Sequence, residues 1–191
     1  MIKESTHGSI CDPCANVQNV WLSDYQGWDW RDTVDRKEGR RVLSRFNYGL
    51  YIIATKGGNI PDAMIATWVS QVSFVPQLVA VAIEVNSHML TNLKESGYFS
   101  INLVPAGGKV IAASFLKPRK STKNTVGGRE FTSLSNGSPF LRDASACVEC
   151  RIRQRIESGD HTIIIGEVVD ARTQKEGDVL TMQETGWQYQ R

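Results

Sequence analysis

Residues 66–83, Ala-Thr-Trp-Val-Ser-Gln-Val-Ser-Phe-Val-Pro-Gln-Leu-Val-Ala-Val-Ala-Ile, decide the fold class. The run from Met64 to Phe74 is rich in β-branched and aromatic residues and stops before Pro76, which predicts a strand. Leu78 to Ile83 is short and apolar throughout, the pattern of a strand buried on both faces. Working outward, Tyr48 to Thr55 is a further strand, and Lys56-Gly57-Gly58-Asn59 supplies its turn. Ser87 to Ser96 predicts a short helix with Ser87 as N-cap and Gly97 as stop. Tyr98 to Val104 is a strand, and Val110 to Phe115 a short helix after Gly107-Gly108. Lys117 to Pro139, full of Gly, Ser, Thr and Asn, is expected to be a long loop. Ala146 to Ile156 and Thr162 to Val169 pair as a hairpin across Gly159-Asp160, and Val179 to Gln183 is a last strand. Strands outnumber short helices, so the expected architecture is a mainly β barrel or sandwich with helical decorations.

The 191 residues carry 41% hydrophobic and 22% charged side chains, enough apolar material for one self-sufficient core. The net charge of +2 and the absence of a long basic block give no footing for nucleic acid or a membrane surface. Apolar runs fall far short of the ~20 residues that cross a bilayer, and no signal-peptide core follows Lys3, Glu4 and His7, so a cytoplasmic location is the expectation.

Thr67, Ser70 and Ser73 set hydroxyls and backbone N–H groups beside Trp68 and Val69. That mixture suits a planar heteroaromatic ligand with a polar edge, such as an isoalloxazine; a half-exposed strand with solvated hydroxyls is the alternative. Ser87 and His88 open the helix after the apolar run, where unfilled N–H groups and the helix dipole favour a phosphate; a plain capped helix is the alternative. Cys11 and Cys14 form one C-x-x-C pair, Cys147 and Cys150 another. Strand alternation points Cys147 and Cys150 to opposite faces, so they are not expected to chelate one ion, and no metal site is predicted. Cys11-Asp12-Pro13-Cys14 lies in an irregular arm, where free thiols, a redox dithiol or a disulfide are all open.

Taken in order, these motifs resemble the flavin reductase-like family. The resemblance rests on Gly49-Leu50-Tyr51 into Ala54-Thr55, on Thr67 to Phe74 with Pro76, and on Ile83 with Ser87-His88. Ser96 to Asn102 and Gly159-Asp160-His161 through Gly166-Glu167-Val168 complete it. Within the family the motifs look most like the modules of flavoredoxins, high-molecular-weight rubredoxins and diflavin flavoproteins. The resemblance implies a Greek-key split β-barrel that binds FMN and pairs as a homodimer with flavin at the interface. It implies that Thr67, Trp68, Val69, Ser70, Gln71 and Ser73 hold the ring and ribityl chain. Ser87 and His88 would meet the phosphate, with Asn102 nearby. The implied reaction is hydride transfer from NADH or NADPH to the flavin, then electron delivery to a free flavin or a redox protein. His161 is the candidate catalytic residue, with a backbone-bonded hairpin histidine as the alternative. Lys117, Arg119 and Lys120 could meet a phosphate or simply be solvated. No glycine-rich dinucleotide fingerprint is present. An FMN electron carrier with little NAD(P)H activity, and a metal or thiol-redox protein using the cysteine pairs, are the other readings. The module is expected over residues 41–191, preceded by an arm over 1–40 that contains Trp21, Trp28 and Trp30.

Overall fold

The structure, a computed structural model, describes residues 35–116 and 120–188, so Cys11, Cys14, the three arm tryptophans, Lys117 and Arg119 lie outside the described residues. The chain divides into two units, residues 1–45 and 46–191. In the first, α1 (Arg36–Leu43) starts at the N-cap Asp35, whose carboxylate accepts from the Lys37 N–H at 2.9 Å. Arg41 and Glu38 pair along its exposed side at 2.6 Å.

The second unit is built on an antiparallel sheet of seven strands. They are β1 (Tyr51–Gly57), β2 (Ile60–Ala66), β3 (Val69–Ser73), β4 (Leu78–Glu84), β5 (Tyr98–Leu103), β9 (Ala146–Ser158) and β10 (His161–Thr173), in the order β2-β1-β5-β9-β10-β4-β3. A smaller sheet holds β6 (Thr125–Val126), β7 (Arg129–Ser133) and β8 (Pro139–Leu141). Helix α2 (His88–Ser96) carries the chain from β4, on one side of the large sheet, to β5 on the other; α3 (Lys109–Ala113) and α4 (Met182–Thr185) are short.

The strand β9 divides the interior. Cys147 belongs to one apolar cluster with Leu50, Ile52, Phe131 and Leu141; Cys150 belongs to another with Ile53, Ile83, Phe99 and Ile164. The two cysteines therefore face opposite sides of β9, as alternation predicts. Gly166 lies where β10 bulges, and a Cβ there would fall 2.7 Å from the Phe99 ring, so only glycine lets the strand sit this close.

Four sequence expectations are corrected. Residues 64–74 are not one strand, because Thr67 and Trp68 break the run between β2 and β3. Leu78 to Ile83 is not buried on both faces: Val81 and Ile83 point into the core, whereas Leu78, Ala80 and Ala82 face outward and are half-buried. Residues 117–139 are not a plain loop, since Val126, Phe131 and Leu134 bury themselves and pull β6 and β7 into the small sheet. Val179 to Gln183 makes only the bridges Val179–Pro105 and Thr181–Gly49, after which a capping box at Thr181 and Glu184 starts α4.

Candidate functional site

The far end of β4 collects three connections. On one side lies the β2–β3 link, where the Trp68 carbonyl accepts from the Ala82 N–H at 3.1 Å. On the other side the β9–β10 turn closes against it, with the Val85 N–H donating to the Asp160 carbonyl at 3.1 Å and His161 in register with Glu84. The chain then runs through Asn86 into α2. Three segments far apart in sequence thus meet within a few residues of Glu84.

Trp68 and His161 pack ring on ring there, centroids 4.7 Å apart and tilted by 46°. His161 Nδ1 contacts the Asp160 carboxylate at 2.5 Å, and its side chain is 17% exposed, so the imidazole is oriented but reachable. That bond holds the ring with Nε2 directed away from Asp160.

Ser87 is the N-cap of α2, as its sequence predicts. Its hydroxyl accepts from the Leu90 N–H at 3.2 Å and donates to the Glu84 carbonyl at 2.7 Å. Both directions of the hydroxyl are used within the turn, so the donors that this helix start presents are the N–H groups of His88 and Met89, which have no intrahelical partner. Ser87 and His88 line a cavity of about 650 Å³ with Met64, Ile65, Asn92 and Phe115. Asn92 is fixed by a 2.7 Å bond from its Nδ2 to Asp62. The cavity has an apolar wall, a helix N-terminus and a few fixed polar groups, which suits a ligand with a flat apolar body and an anionic end.

The other expected residues lie elsewhere. Thr67 and Trp68 sit in the β2–β3 link, and Val69, Ser70, Gln71 and Ser73 lie on β3, which among the described residues pairs only with β4. Ser70 and Gln71 are exposed. Asn102 is inside the barrel: its Nδ2 donates to the Ile52 carbonyl and Ser100 Oγ, and its Oδ1 accepts from the Leu141 N–H at 2.9 Å. It does not line the cavity, and its amide ties the small sheet to the large one.

Sequence reasoning missed Asp62, Met64 and Asn92, whose only signal is the alternation along β2 and the helical spacing after Ser87. It also missed Glu149, a fully buried carboxylate that accepts from the Asn136 N–H and Nδ2 and from the Ser138 N–H at 2.9–3.1 Å. Burial pushes this carboxyl up, and the hydrogen bonds from Asn136 and Ser138 more than offset it, leaving it below its ordinary value. Burial pushes the thiols of Cys147 and Cys150 up to about 11 and about 12, so neither is poised for redox or ligand chemistry at neutral pH.

Comparison with known proteins matches this arrangement to one family. The flavin reductase like domain model matches residues 43–189. Diflavin flavoprotein A 1 of Synechocystis sp. (strain ATCC 27184 / PCC 6803 / Kazusa) is 33% identical over 136 residues, 71% of this chain and 24% of that protein. The chain thus spans about a quarter of the length of such curated relatives. Among solved structures, the NADH:FAD oxidoreductase SgcE6 of Streptomyces globisporus C-1027 superposes with a TM-score of 0.65 at 28% identity, covering 75% of this chain and 87% of that one. BorF, the flavin reductase component of a bacterial two-component tryptophan halogenase, superposes at 0.69 with 26% identity, covering 79% and 95%. The fold is therefore the split barrel expected from the motifs, and the chain belongs to the flavin reductase-like domain family.

Proposed function

We propose that this protein is an FMN-dependent oxidoreductase of the flavin reductase type, taking electrons from NADH or NADPH and delivering them to a free flavin or a redox protein. The observation that carries the reading is the convergence at the end of β4. There the start of α2 opens onto a large cavity, close in the fold to the Trp68–His161 ring pair. The residues fit the group. The N–H groups of His88 and Met89 receive the phosphate, with Ser87 holding the turn in shape. The edge of β3 that no described residue pairs with, and the Thr67–Trp68 link, offer main-chain donors and acceptors to the ring and ribityl chain through Val69, Ser70, Gln71 and Ser73. Asn102 touches no part of this cavity and serves by tying the small sheet to the large one.

The bound flavin supplies the hydride and electron chemistry. The chain's own part is to bind, orient and exclude water. Trp68 shields one side of the site, and His161 presents Nε2 under the control of Asp160. Pairing into a homodimer completes the site in this reading. The outward face of β4 and β10 is half-buried and apolar through Ala80, Ala82, Ile163 and Ile165, and Phe74 and Val75 stand 82% and 93% exposed beside it.

A second reading, an electron carrier with little NAD(P)H activity, is favoured by the relatives in which the matching segment is one part of a diflavin flavoprotein four times longer. Anaerobic mixing of the flavin-loaded protein with NADH or NADPH separates the two. Rapid bleaching of the flavin absorbance supports the reductase, slow bleaching with both donors supports the carrier, and no flavin binding at all overturns both.

A further inference from the structure

A second cavity, of about 290 Å³, shares Ile60 and Pro61 with the large one. Lys56, Lys123 and Arg142 line it, together with Asn59, Asn124 and Gly137, and among the described residues no carboxylate does. Like charges gathered around one recess repel each other, and that repulsion is relieved when an anion enters.

The three cations arrive from different elements. Lys56 is the last residue but one of β1, Lys123 precedes β6 and Arg142 follows β8. Among the described residues Lys56 and Lys123 have no ion pair, and Arg142 has only a 3.5 Å contact with Glu130 in which both side chains are more than 60% exposed. Such a pair is weak and screened, so it leaves the guanidinium free to turn to a better anion. The floor of the recess is rigid. The Lys56 ammonium rests against the Gly137 turn, 2.5 Å from the point a Cβ would occupy, and the φ of 87° is what favours glycine there. Buried Glu149 pins that same turn from beneath through the N–H groups of Asn136 and Ser138.

We propose that this recess binds the adenylate-side phosphates of an adenine dinucleotide whose redox ring uses the neighbouring site. The inference rests on the flavin reading above and goes beyond it by naming what lies past the flavin cradle. Two dinucleotides carry that chemistry, FAD and NAD(P)H, and the test separates them.

Titration calorimetry on the flavin-stripped full chain compares the native protein, the K56Q/K123Q double variant and R142Q against FMN, FAD and ADP. The same flavin-stripped proteins are titrated with NADH and NADPH, so that no hydride transfer contributes heat. The substituted side chains are surface groups, and matching melting temperatures confirm intact folding. Loss of one charge-assisted phosphate contact is worth about tenfold in affinity. A tenfold or greater weakening of FAD with FMN unchanged assigns the recess to the adenylate half of the flavin. The same weakening of NADH or NADPH with both flavins unchanged assigns it to the electron donor. If FAD, NADH, NADPH and ADP all bind the variants as they bind the native protein, the proposal is overturned while FMN binding leaves the flavin reading intact. Failure of FMN to bind the native chain instead removes the flavin reading, and ADP binding lost in the variants then still supports a phosphate recess.

Discussion

Ser87 shows how much a single position can carry. Its hydroxyl closes the turn between Glu84 and Leu90, so its removal and its replacement by a charge should differ. Ser87→Ala loses a cap, costing about 1 kcal/mol of stability with a modest loss of FMN affinity. Ser87→Asp keeps a capping carboxylate but sets a negative charge against the phosphate, and FMN affinity should fall at least tenfold with little change in melting temperature. Fluorescence titration beside thermal melts reads both; unchanged affinity in Ser87→Asp would move the phosphate elsewhere.

Glu149 gives the pH behaviour. Its carboxyl lies below the ordinary value of 4.5 in the folded protein, so its stabilising contribution is whole above that pH. The contribution fades as pH falls through the folded value. Carboxylates nearer the surface, such as half-buried Glu167 held down by Arg151 and Arg153, act in the same direction but are more open to screening by salt. The acid limb of the stability curve that survives high salt should therefore be the one abolished in Glu149→Gln. That variant turns an amide Nε2–H toward one of the backbone N–H donors, so it should also lose about 1–3 kcal/mol at neutral pH in urea melts.

At the scale of elements, the β9–β10 ladder governs whether the barrel closes. Gly166 sits against Phe99 with no space for a methyl group, and the neighbouring atoms belong to a ring and to Cys150 Cβ, both in the packed core. Gly166→Ala should destabilise the fold by about 1–3 kcal/mol, visible as a lower denaturation midpoint at unchanged slope. The same ladder isolates the cysteines. With Cys11 and Cys14 replaced by Ser, a thiol reagent at pH 8 should label Cys147 and Cys150 only as the protein unfolds. Their thiolate fraction is on the order of 0.1% or less, and both are buried.

For the whole molecule, the prediction concerns the half-buried outward face of β4 and β10. Phe74→Ser with Val75→Ser removes apolar area from the β3–β4 turn while touching no core residue. Sedimentation should show the native chain as a dimer and the double variant shifted toward monomer, with FMN affinity falling in parallel if the partner subunit completes the site. A native chain that sediments as a monomer would remove the dimer from the proposed function.

Local chemistry made much of this legible in advance. The N-cap at Ser87 and the stop at Gly97 were readable because capping needs only neighbouring residues. The turn at Gly159-Asp160 and the opposed faces of Cys147 and Cys150 were readable because strands alternate strictly. The small sheet was not readable: its strands are two to five residues long and are held by burial of Val126, Phe131 and Leu141 against distant parts of the chain. Nor could the sequence tell that the second apolar face of Leu78 to Ile83 would stay half-open, because composition records that a face is apolar but not what covers it. The order of motifs determined the family, and capping and alternation determined the elements. Only the tertiary structure decided that Asn102 belongs to the interior, that Trp68 meets His161, and that Lys56, Lys123 and Arg142 share one recess, because each of those contacts joins residues whose separation along the chain leaves no local trace.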